Sequence, residues 1–140
     1  MIISKLDAAR IQLDQAIELF FNENHVCAVT LAGAATEIME TFIKPQNSAD
    51  FLLAWYQKTS KQQMPMNIFK KDILNAPFNW LKHSDRDPNS QLDIGIEFSL
   101  FMLMRALACY QKLVNEPTLA MKNFWKYVQD NKDHLDELFR

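Results

Sequence analysis

Apolar residues recur three and four positions apart along most of the chain, which is the repeat of an amphipathic helix. Leu6, Ala9, Leu13, Ala16, Ile17 and Phe20 mark one such face. The segment Ser4-Lys5-Leu6-Asp7 reads as its start, because Ser4 can cap and Asp7 places a carboxylate at the positive end of the helix dipole. Asn22-Glu23-Asn24 forms a short break, and His25 to Ile43 reads as a second helix stopped by Pro45. Its Ala28, Ala32, Gly33, Ala34 and Ala35 are small enough for a neighbour to approach closely. The short connection makes these two helices an antiparallel hairpin.

Farther on, Ala49 to Thr59 reads as a shorter helix with Phe51, Leu52, Trp55 and Tyr56, and another begins at Asn67. Pro77 interrupts that helix or opens a new turn at Phe78, and Ser84 to Ser90 is rich in turn formers. From about Gly95 to Val114 the pattern is apolar nearly all round, as in a helix central to a bundle. Asn115-Glu116-Pro117 opens a final amphipathic helix through Val128, followed by a C-terminal turn around Leu135, Leu138 and Phe139. The expectation is an all-α fold, a single helical-bundle domain over 1–140 with five or six helices around one core.

Composition narrows the function classes. A chain of 140 residues, 49% hydrophobic and 23% charged, can build its own core without a disulfide or metal. There are two glycines, Gly33 and Gly95, too few for a phosphate loop or a dinucleotide fingerprint. A net charge of -2 argues against a protein built mainly to coat nucleic acid. Lys61, Lys70, Lys71, Lys82 and Arg86 against Asp72, Asp85 and Asp87 give residues 61–90 a weak positive bias. Cys27 and Cys109 fall in apolar helical runs and read as small core residues of a reducing compartment. No basic-then-apolar leader opens the chain, and the apolar stretch from Phe98 to Tyr110 is too short to span a bilayer. A cytoplasmic protein without a membrane partner is expected.

Candidate chemistry concentrates in Asn79-Trp80-Leu81-Lys82-His83-Ser84-Asp85-Arg86-Asp87-Pro88. An amide, an imidazole, an ammonium, a guanidinium and two carboxylates fall within ten residues. If Pro77 to His83 is helical, Asn79 and His83 share a face. The same residues also suit a structural clamp, since Asp85 can close an Asx turn and Arg86 and Asp87 can tie the loop to the bundle. Arg105 interrupts the central apolar helix. A buried charge costs several kcal/mol unless paired. Its candidate partners are Asp85, Asp87, Glu37 and Glu40, and the expected arrangement is Arg105 tying down the Asp85–Asp87 loop. The alternative is Arg105 at an exposed edge with only its stem buried. Glu37, Glu40 and His25 lack metal-ligand spacing, His134 reads as solvated, and neither a metal nor a cofactor is expected.

The ten-residue segment, together with Ala16–Phe21 and Thr30-Leu31-Ala32-Gly33-Ala34-Ala35, resembles a family of small bacterial helical proteins. Those proteins carry Asn-aromatic-Leu/Phe-Lys-His-Ala/Ser-Asp-Arg-Asp-Pro; the likeness implies a grouping and no mechanism. A looser resemblance is to the HEPN superfamily of helical bundles, often dimeric, whose active members cleave RNA without metal using an Arg, a polar residue, a spacer and a His. His83 matches the His and Asn79 the polar slot. Phe78, or Pro77 with a longer spacer, stands at the Arg slot, and Arg86 follows the His. The resemblance implies a homodimer binding RNA or a nucleotide at Asn79–Pro88. The catalytic candidates are then His83, Asn79 and Arg86, and the ligand-binding candidates Lys82, Asp85, Asp87 and Arg105. Within that set Arg86 and Lys82 would hold phosphate, His83 would transfer a proton, and Asp85 would orient His83 or Arg86. The rival expectation is a non-catalytic homodimeric interaction module in which the motif is a structural clamp.

Overall fold

The computed structural model describes residues 1–43, 76–83 and 88–138. Among them are six helices and no strand: α1 (Lys5–Phe21), α2 (His25–Glu40), α3 (Ala76–Lys82), α4 (Ile96–Leu113), α5 (Leu119–Asp130) and α6 (Lys132–Leu138). The all-α expectation holds. The expected helices at Ala49–Thr59 and from Asn67, and with them Trp55 and Tyr56, lie outside the described residues.

The first hairpin is built by its caps. The Ser4 hydroxyl oxygen accepts the Asp7 N–H at 3.0 Å and donates to the Asp7 carboxylate at 2.8 Å. At the other end of α1, Asn24 N–H bonds Leu19 C=O at 2.9 Å and Glu23 N–H bonds Phe20 C=O at 3.0 Å. This paired closure places Glu23 in the left-handed region, at φ 60°. The Asn24 side chain then accepts the Cys27 N–H at 3.2 Å and starts α2. Three residues suffice to reverse the chain, so α2 runs back along α1. Lys5 at the start of one helix and Thr41 just past the end of the other line the same surface hollow.

Two expectations for α2 need correction. The helix ends at Glu40 and not at Ile43, because Thr41, Phe42 and Ile43 each bond a carbonyl three residues back, at 3.2, 3.0 and 3.3 Å. The last turn tightens before Pro45 is reached. Cys27 is exposed, whereas Cys109 is buried as expected, and both are free thiols. In the first turn of α2 the core face belongs to Ala28, Val29 and Ala32, which turns Cys27 outward.

The remaining helices close around α4. From Ser99 to Leu107, and again at Cys109 and Tyr110, its residues are buried. α2 and α1 cover it, and the small side chains of α2 permit the close approach. Thr118 caps α5 and donates to Asp14 on α1 at 2.6 Å. Phe20 then meets Phe124 and Tyr127 edge to face, each at 5.5 Å between ring centroids, which fixes α5 on α1. The expected C-terminal turn is the helix α6, which buries Leu135.

α3 packs on α2. Pro77 occupies its first turn, where a missing N–H costs nothing. The Phe78 ring packs against Gly33 of α2 so closely that a Cβ built there would collide with it. Gly33 is the position that lets α3 dock. Gly33→Ala adds about 1 kcal/mol of helix propensity, but the clash outweighs it because the nearest ring atoms adjoin the Phe78 stem. The expected net loss is about 1–2 kcal/mol, a fall in the thermal midpoint of about 3–7 °C. Amide exchange should accelerate most in residues 76–83, as calorimetry with hydrogen exchange will read.

Candidate functional site

The described half of the motif sits on α3 and its exit. His83 N–H closes onto Asn79 C=O at 3.0 Å, so the two residues lie one turn apart, as their spacing requires. The Trp80 indole donates to Ser90 Oγ at 2.8 Å, joining α3 to the chain beyond the loop. Asp85, Arg86 and Asp87 lie outside the described residues, and with them the expected tie between Arg105 and that loop.

What α3 meets is an acidic face of α2. Glu37 and Glu40 are three residues apart and therefore neighbours on one side of that helix. Lys82 Nζ donates to both carboxylate oxygens of Glu37, at 2.9 and 3.1 Å. The same ammonium lies 5.5 Å from the centroid of the Phe78 ring. Arg105 Nη2 donates to Glu40 Oε1 at 2.6 Å. The Arg105 side chain is 5% exposed, which excludes the alternative of an exposed edge. Glu40, one of its four candidate partners, meets it.

These residues enclose a small cleft of about 100 Å³, lined by Gly33, Thr36, Glu37, Glu40, Phe78, Asn79, Met102 and Arg105. The structure thus gathers Asn79 and Arg105 from the predicted set at one place, with Lys82 beside them through Glu37. His83 is half-buried at the exit of α3. The Thr36 hydroxyl is engaged by Ala32 C=O at 2.8 Å. Within the described part, each cation faces a carboxylate, and a phosphate group approaching Lys82 or Arg105 must compete with Glu37 or Glu40. At about 4 Å and an effective dielectric near 20, one charge acts on another with roughly 4 kcal/mol, so that competition is not negligible.

Two pairings are not written in the residue spacing. Glu37, a candidate partner for Arg105, holds Lys82 instead. His25 Nδ1 lies 2.8 Å from Ser99 Oγ, while that hydroxyl donates to Ile96 C=O at 3.0 Å. Ser99 accepts from His25 in the tautomer that carries its proton on Nδ1. With Ser99 fully buried, this contact joins the α1–α2 turn to the start of α4 and offers no nucleophile to solvent. The Tyr110 phenol is pushed up from its ordinary value by burial, aided by Asp14, Asp7 and Glu116 and opposed by Arg10. That perturbation belongs to the α1 side of α4 and not to Asn79–His83.

Among the described residues no group of three or more His, Cys, Asp or Glu side chains is placed to hold a metal ion, and no helix is long and apolar enough to cross a membrane. No family model matches the chain, and neither a curated protein nor a solved structure is significantly similar to it.

The two ion pairs differ in environment, and their removal should differ in cost. The Lys82 and Glu37 side chains are 44% and 52% exposed, so Glu37→Ala should cost under about 1 kcal/mol. Glu40→Ala takes a charged hydrogen bond from a guanidinium that is 5% exposed and should cost more, about 1.5–3 kcal/mol, or several degrees in thermal midpoint. Thermal unfolding of both variants beside the parent measures the contrast.

Proposed function

We propose that the protein is a non-catalytic, homodimeric interaction module in which Asn79–Pro88 acts as a structural clamp. The observation that carries this reading is that both described cations of the site are held internally, Lys82 by Glu37 and Arg105 by Glu40. A ligand site normally presents such groups to the ligand; here they fasten α3 and α4 to α2. Phe78 over Gly33 and Trp80 bonded to Ser90 serve the same docking. Function then falls to the exposed apolar surface, where Ile11, Phe21, Val26 and Leu119 stand out from α1, α2 and α5.

A second reading draws on Asn79 and Arg105 lining one cleft next to His83. It is a HEPN-like bundle that binds an RNA or nucleotide phosphate, with Arg86 and Lys82 as phosphate holders and His83 as the proton-transfer group. It requires Lys82 to exchange Glu37 for the ligand.

Titration of the full chain with labelled single-stranded RNA at about 50 mM salt, where phosphate contacts are strongest, separates the two. The clamp reading predicts neither binding nor cleavage, in the parent or in Lys82→Ala. Salt-sensitive binding that Lys82→Ala weakens, or cleavage that His83→Ala abolishes, overturns it in favour of the second reading.

A further inference from the structure

We propose that the groove between α1 and α5 is the surface on which a second copy of this chain docks, across a two-fold axis that lays α1 of each copy against α5 of the other. This rests on the homodimeric reading above and gives it a place. The groove is an open trough of about 490 Å³. Ile11 and Phe21 rise from its α1 side, 46% and 44% exposed, and Leu119 from its α5 side, 73% exposed. Large apolar side chains held this far into water stand to gain most from being covered.

The charges say what covers them. On the α1 wall Asp14 is already engaged by Thr118 and Arg10, and Glu18 is the exposed acid left to meet a partner. The exposed face of α5 carries Lys122 and Lys126, with no acid before Asp130. A two-fold contact brings the same patch of both copies together, so each residue pairing occurs twice. A patch with an acidic strip on one helix and a basic strip on the other complements itself when α1 meets the partner's α5. A uniformly acidic or basic patch would repel its own copy.

Burial of the groove also strands nothing on its floor. The half-buried Asp14 carboxylate already accepts from the Thr118 hydroxyl at 2.6 Å and lies 4.0 Å from Arg10. A covering surface therefore needs to supply apolar contact and complementary rim charge, and no buried counter-ion. The second copy supplies both.

Sedimentation equilibrium of the full chain from about 1 to 100 μM tests the proposal, at a concentration range suited to interfaces of μM strength. The parent should be dimeric at the upper end. Leu119→Glu should be monomeric with unchanged helical circular dichroism, since Leu119 makes little contact within its own copy. Glu18→Lys should weaken association about tenfold or more, as should Lys122→Glu combined with Lys126→Glu. A chain carrying all three charge reversals should regain the dimer, because each reversed strip again meets its opposite. A parent that stays monomeric at about 100 μM overturns this proposal and the homodimeric reading together. A dimer unaffected by Leu119→Glu and by either reversal overturns the placement at α1 and α5 and leaves the homodimeric reading standing.

Discussion

A guanidinium inside the central helix of a bundle must be met by an acid, because leaving it unpaired costs several kcal/mol against a total stability of only about 5–15 kcal/mol. Arg105 sits in that position on α4, and its bond to Glu40 fixes more than one pair of residues. The rotation of α2 that buries Ala28, Val29, Ala32, Ala35 and Met39 also turns Glu40 to Arg105. With Glu40 turned to Arg105, Glu37 one turn earlier faces the same side and is free to take Lys82. Gly33, one further turn back, then lies beneath the Phe78 ring. α3, with Asn79 and His83, docks on the same side of α2 that meets Arg105.

The hairpin of α1 and α2 supplies the frame in which this happens. Its reversal depends on Glu23 in the left-handed region, a conformation that costs a non-glycine residue roughly 1–2 kcal/mol. Capping by Asn24 and the His25–Ser99 hydrogen bond hold the turn against the start of α4. On the opposite side, Phe20, Phe124 and Tyr127 lock α5 to α1 and leave Phe21 at the rim of an open groove. Among the described residues, the cations at the α2–α3 contact are paired internally, whereas Ile11, Phe21 and Leu119 remain exposed along the α1–α5 groove.

Much of this was legible in the sequence because helices announce themselves locally. Ser4 and the Asn22–Asn24 break mark ends that the structure keeps, and the all-round apolar run places α4 within a residue at each end, Gly95 and Val114 being its caps. Arg105 was legible as a buried charge in need of an acid, and Glu40 stood among its candidates. Other features depend on the angle at which helices cross, and spacing carries no information about that. Cys27 lies in an apolar run yet faces water, since α2 offers its core face to Ala28 and Val29. Lys82 looked available for a ligand because the acid it meets, Glu37, is 45 residues away along the chain.

Arg105, buried on α4, and the part-exposed Glu40 on α2 should therefore behave as a coupled pair. Thermal unfolding of a double-mutant cycle, Arg105→Met, Glu40→Leu and the two combined, tests it most directly. If the pair is coupled, Glu40→Leu costs about 1 kcal/mol or more beyond what it costs in the Arg105→Met background, where the charged hydrogen bond is already gone. Additive losses, or a Glu40→Leu variant as stable as the parent, would show that the two residues are not coupled.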